Sequence, residues 1–113
     1  MKKNKIENFL DKIPLRKPDL KWSCDDNGIV TLEVENKGIA NRIAQKLIKK
    51  PKISYIHLDN IGSFIWNTIN GERDLTEIGI LLENQFGEKA NPLYERLAQY
   101  FRILENYGFI IWK

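Results

Sequence analysis

Cys24 and His57 are the only residues of their types in this chain, so a Cys–His nucleophile–base pair would have to be these two. A thiol becomes a useful nucleophile when a neighbouring imidazole takes its proton and a third group orients that imidazole. Here the two candidates fall on different predicted strands, nothing orients the base, and no Gly-rich segment offers an oxyanion loop. Cys24 therefore reads as a small residue of a half-buried strand. His57 lies between the core positions Ile56 and Leu58, so it faces outward from a sheet or lines a groove. A metal site wants several His or Cys ligands at short spacing, which this chain lacks. Glu33 and Glu35 share one strand face without a pocket signal and read as solvated. Gly71 and Gly87 match neither a phosphate-binding loop nor a dinucleotide fingerprint. The sequence predicts no catalytic residue, no metal and no cofactor, and hence a protein that is not an enzyme.

The elements that hold these residues follow from pattern and punctuation. The 113 residues fit one domain able to bury a core without staples. No apolar run approaches the roughly 18 residues of a membrane span. The basic start has no continuous apolar stretch and no cleavage site, and the lone cysteine forms no internal disulfide; cytoplasm is the expected location. Residues 1–19 read as an irregular basic lead-in broken by Pro14 and Pro18, with a short helix around Ile6–Leu10. A hairpin follows, turning at Asn27-Gly28. Its second strand alternates Val30, Leu32 and Val34 with Thr31, Glu33 and Glu35. Over residues 37–50, Ile39, Ile43 and Leu47 recur every four residues, with Arg42, Lys46, Lys49 and Lys50 on the outer face. That predicts an amphipathic basic helix, stopped by Pro51. Residues 53–59 read as a third strand.

Three further helices are expected at 60–70, 74–86 and 91–107. Asp74 with Glu77 suggests a capping box, Asn91-Pro92 a helix start, and Gly87 and Gly108 helix ends. Residues 109–113 are apolar and extended. Trp66 reads as core. The expected fold is α+β: a winged helix-turn-helix with an N-terminal three-stranded antiparallel sheet, then three helices, and an extra helix between strands two and three. The domain is placed at residues 20–113.

Such a fold invites a DNA-binding reading, and the charges test it. Residues 1–52 carry 13 Lys/Arg against 7 Asp/Glu, a net of +6, and residues 53–113 carry 5 against 8, a net of −3. On helix 91–107, Arg96 and Arg102 are offset by Glu95 and Glu105, and helix 74–86 has no Lys or Arg at all. Phosphates would be repelled from that pair. A winged-helix regulator is therefore the alternative reading, and nucleic acid is not the expected partner. The basic residues Arg42, Lys46, Lys49 and Lys50 could instead meet an anionic surface or an enzyme. The other exposed feature is the rim of a small sheet, where an extended peptide can add a strand. Strand 53–59 directly precedes the helices, so Tyr55 and His57 on it, and Arg96, Tyr100 and Ile103 on helix 91–107, are the candidate groove residues.

Leu58-Asp-Asn-Ile-Gly-Ser-Phe-Ile-Trp66, Asn70-Gly-Glu-Arg-Asp-Leu-Thr-Glu-Ile78, Phe86-Gly87 and Glu95-Arg-Leu-Ala-Gln-Tyr-Phe-Arg-Ile-Leu-Glu-Asn-Tyr-Gly-Phe-Ile110, in that order, resemble the PqqD family. The resemblance covers 53–110 well and 20–36 loosely. It implies a non-catalytic recognition element for ribosomally made, post-translationally modified peptides. Such an element holds the leader of a precursor peptide as an added strand, between the third strand and the third helix. It delivers the peptide to a modifying enzyme, often a radical S-adenosylmethionine protein. In the founding case the product is pyrroloquinoline quinone. The resemblance places the cleft on 53–59 and 91–107. The insert 37–50 and the long lead-in depart from the short family pattern. The insert could cover part of the groove, or be the surface on which the enzyme docks. A stand-alone chain of this kind can also form a homodimer by exchanging strands.

Overall fold

The hairpin begins with a carboxylate rather than with its glycine. Asp25 Oδ1 accepts from the backbone N–H of Asn27 (2.8 Å) and of Ile29 (2.9 Å), and Gly28 supplies the positive φ of 83° that closes the turn. The computed structural model describes residues 9–35 and 53–113. Within them the strands are β1 (Pro14–Arg16), β2 (Lys21–Cys24), β3 (Val30–Glu35), β4 (Ile53–His57) and β5 (Ile110–Trp112). The helices are α1 (Asn60–Thr68), α2 (Leu75–Phe86) and α3 (Leu93–Asn106), with a 3₁₀ turn at Gly87–Ala90.

The expectation of an N-terminal three-stranded sheet followed by three helices, as a winged helix-turn-helix, is corrected by the strand pairing. The strands belong to two antiparallel sheets, β2-β3-β4 and β1-β5. The first strand, β1, lies inside what reads as irregular lead-in, and its partner is the last one, with Leu15 opposite Ile111. Lys113 N–H to Ile13 O (2.9 Å) and Lys17 N–H to Phe109 O (3.0 Å) extend this pairing. The physical reason is non-local. Two prolines mark the segment as irregular, but Pro14 is tolerated because β1 has a partner on one side only. The inserted helix expected at 37–50, with Arg42, Lys46, Lys49 and Lys50, lies outside the described residues, as does most of the helix expected around Ile6–Leu10.

The helices start and stop where side chains satisfy their ends. Asp59 accepts from Gly62 N–H at 2.6 Å at the start of α1. Asp74 and Glu77 form a reciprocal capping box on α2, at 2.8 and 3.1 Å. Before α3 the 3₁₀ turn intervenes, so Pro92, not Asn91, occupies the cap position, without a side-chain hydrogen bond. At its other end Gly108 (φ 75°) lets its own N–H reach Glu105 O and Phe109 N–H reach Leu104 O. Both are the bonds of a Schellman closure.

The core lies between the three-stranded sheet and the helices. Val30 and Leu32 from β3, Ile65 and Trp66 from α1, Leu75, Ile78 and Leu82 from α2, and Leu97 and Phe101 from α3 are all fully buried. Trp66 is core, as its helical position suggests. Trp22 meets it edge-on with ring centroids 5.9 Å apart. Arg16 lies over the Trp22 ring at 4.6 Å and donates to Trp66 O at 2.8 Å, which fastens β1 to the main sheet and to α1.

Candidate functional site

Strand parity decides what β4 can offer. Residues directly opposite one another in an antiparallel sheet point to the same face. Trp22, Leu32 and Ile56 are aligned, as are Ser23, Thr31 and His57, and Lys21, Glu33 and Tyr55. Leu32 is in the core, so Ile56 faces the helices. Tyr55 and His57 face the other side of the sheet. There His57 Nδ1 shares a 2.8 Å hydrogen bond with Thr31 Oγ1. Cys24 sits on β2, with β3 between it and His57, and its side chain shares the opposite face with Val30. Cys24 and His57 are thus kept apart. Cys24 Sγ lies 3.7 Å from Asn67 Nδ2.

The backbone of β4 has the opposite allocation. Leu58 N–H donates to Val30 O at 2.9 Å, so the even-numbered residues of this segment turn their amide groups toward β3. Ile53, Tyr55 and His57 turn theirs to the other rim, and no described strand pairs there. Tyr55 and His57 therefore present backbone, not side chains, to that rim. The strand is unusually apolar for an edge: Ile53 is 43% exposed, Tyr55 59% and Ile56 37%.

The ladder ends at a buried hydroxyl. Ser63 Oγ accepts from Val30 N–H at 2.9 Å and donates to Leu58 O at 3.2 Å. It stands where the second hydrogen bond of the Val30–Leu58 pair would be, and it anchors α1 to the end of β4.

A helix wall runs beside this strand. Arg96, Tyr100, Ile103 and Tyr107 recur at helical spacing along one side of α3 and its cap. The Tyr100 ring lies against Gly62, next to Leu58, at the end of β4; a methyl group at Gly62 would come within 3.3 Å of that ring. Its hydroxyl donates to Gly62 O at 2.7 Å. Burial, and secondarily the charge of Asp59, raises the Tyr100 pKa well above its usual range, so the phenol stays a donor. At the other end, Tyr107 and Phe109 line a cleft that also takes in Ile53. The helix therefore runs antiparallel to β4, with Ile56 (37% exposed) on the helix-facing side of the strand and Ile103 (45% exposed) on the helix.

The five candidate groove residues thus divide. Tyr100 and Ile103 lie on one side of α3. Arg96 is at its far end, where Nη1 donates to Lys89 O at 3.0 Å. Tyr55 and His57 contribute their backbone rim. Sequence reasoning took Ile56 for a core position and did not single out Tyr107, yet both are exposed, at 37% and 70%; the helical spacing from Tyr100 and Ile103 was the available signal for Tyr107. Arg102, the other arginine of a DNA reading, lies over the Phe9 ring at 5.3 Å. Among the described residues no helix is long and apolar enough to cross a membrane.

No curated protein and no solved structure is significantly similar to the chain. A family model does match: the one described as Coenzyme PQQ synthesis protein D (PqqD) spans residues 30–110 and so takes in β3, β4, all three helices and the start of β5. That span is well over half of the chain, so this protein belongs to the PqqD family.

Proposed function

We propose that the protein is a non-catalytic peptide-binding partner in the maturation of a ribosomally made precursor peptide. An extended leader segment adds as a strand to the outer rim of β4, and the exposed side of α3 takes its inward side chains. The observation that carries this reading is the pairing of two features. The outward backbone groups of Tyr55 and His57 lie on an edge no described strand covers, and the part-exposed apolar side chains of Ile56 on β4 and Ile103 on α3 flank it. In strand addition the main-chain bonds supply affinity and alternate side-chain pockets supply selectivity. Membership of the PqqD family supports a peptide and a modifying enzyme, such as a radical S-adenosylmethionine protein, as partners. The residues Arg42, Lys46, Lys49 and Lys50 remain candidates for the surface that meets that enzyme.

The test is amide hydrogen exchange with and without the leader of a precursor peptide encoded near this gene. Tyr55 and His57 amides point away from β3 and should exchange quickly in the free protein, then slow on binding. Ile56 and Leu58 amides, already paired, should change little. Binding that leaves Tyr55 and His57 unprotected would refute strand addition at this rim.

A further inference from the structure

At the Ile53 end of β4 lies a cleft of ≈ 490 Å³. One wall of this cleft is the Lys17–Lys21 segment, ahead of residue 30 where the family match begins. Resting on the strand-addition reading, we infer that this cleft is a separate subsite, and that it takes one aromatic side chain of the guest peptide just beyond its paired strand.

Size and wall chemistry carry the inference. The volume lies in the range of pockets that enclose a ligand group. Its apolar lining residues are Leu20, Val34, Ile53, Tyr107 and Phe109. Tyr107 and Phe109 are stacked, with centroids 5.6 Å apart and planes 14° from parallel. Phe109 is 7% exposed and Tyr107 is 70% exposed. The cleft thus has an aromatic slab whose inner ring is fixed and whose outer ring is open to another. The two backbone bonds that close α3 fix the main chain that carries both rings. An aromatic guest gains area and ring geometry together on such a surface.

The rim charges do not compete with that preference. Lys17 and Lys21 stand among Asp19, Glu33 and Glu35, and Lys21 is directly opposite Glu33. Mixed signs on one rim favour neither an acidic nor a basic side chain. Ile53 belongs both to the cleft and to the edge strand, so a guest lying along β4 passes its mouth.

The experiment selects binders to the full chain from a displayed library of random 16-residue peptides. Winners are then made synthetically for titration and hydrogen exchange. The expected winners carry Phe, Tyr or Trp at one fixed position and slow exchange of the Tyr55 and His57 amides. Replacing that aromatic by Ala should weaken binding roughly three- to tenfold. Tyr107→Ala should cause the same loss, and the two changes together should cause no more than either alone. Tyr107→Phe should retain binding, and Tyr94→Ala, on an exposed aromatic at the far end of α3, should leave it unchanged. Winners that protect Tyr55 and His57 but show no aromatic preference, or ignore Tyr107→Ala, would overturn the subsite while strand addition stands. Winners that never protect those amides would overturn both.

Discussion

The Tyr100 hydroxyl donates to the Gly62 carbonyl oxygen at 2.7 Å, and this bond joins α3 to α1, the helix that follows the edge strand β4. Gly62 permits the contact because its missing Cβ leaves room for the Tyr100 ring and for the Asp59 cap. Tyr100→Phe keeps the ring and removes the donor, so the expected loss is about 1 kcal/mol in chemical denaturation.

The same residue has a pH signature. Its folded pKa is raised above the ordinary 10.0, chiefly by burial and then by Asp59. The neutral phenol is thus favoured in the folded state. Its contribution is complete below pH 10 and is lost as pH rises above that toward the folded value. In that window one such group lowers stability by up to about 1.4 kcal/mol per pH unit. The gap between wild type and Tyr100→Phe should therefore shrink on going from pH 9 to pH 11.5. A gap that stays constant would mean that the phenol is not held neutral by this site.

Ser63 offers a second measurement. Its hydroxyl bridges Val30 N–H and Leu58 O in a place with 2% exposure. Ser63→Ala leaves the buried Val30 amide without an acceptor, which costs roughly 1–3 kcal/mol. Faster exchange of the Val30 amide, relative to Leu32, would locate the loss. Equal stability of the variant and wild type would imply that another acceptor replaces the hydroxyl.

Arg16 tests the strand that sequence pattern hides. The guanidinium covers Trp22 at 4.6 Å and donates to Trp66 O through both Nε (3.3 Å) and Nη2 (2.8 Å). Arg16→Lys keeps a charge but cannot make the planar, two-pronged contact. We expect Arg16→Ala to lower stability by about 2 kcal/mol, Arg16→Lys to recover only part of that, and both to shift tryptophan emission.

Local structure was legible in the sequence because local physics sets it. Asp74 and Glu77 announce α2 by the bonds they go on to make, and Val30, Leu32 and Val34 announce a half-buried strand by alternation. Assignment of strands to sheets was not legible. Leu15 meets Ile111 across almost the whole chain, in strands of three residues each, one opened by a proline. No short window contains that pairing. The strand and the helix of the proposed groove were each legible, since both are amphipathic. The directions of the side chains were less so: Tyr55 and His57 are the conspicuous polar residues of β4, yet parity turns them away and leaves Ile56 facing the helix. What Tyr55 and His57 turn to the rim is amide groups, which have no residue-type signature.

That allocation gives the sharpest test of strand addition, through proline. Tyr55 N–H points to the outer rim, so Tyr55→Pro deletes a donor for a guest strand without removing a bond to β3. Proline is compatible with an edge position of this kind. One residue on, Ile56 N–H belongs to the ladder, and Ile56→Pro breaks it. Tyr55→Pro should therefore keep its thermal stability within about 1 kcal/mol of wild type, while Ile56→Pro should lose about 3 kcal/mol or more. Leader binding, measured by calorimetry, should fall at least tenfold in Tyr55→Pro, because one bond is lost and the ring sterically blocks the next. Tyr55→Ala separates the backbone from the side chain. It removes a ring that faces the other side of the sheet, and binding should stay within about twofold of wild type. If Tyr55→Ala weakened binding as much as Tyr55→Pro, the guest would be held by the outer sheet face, and the rim would have no part in its capture.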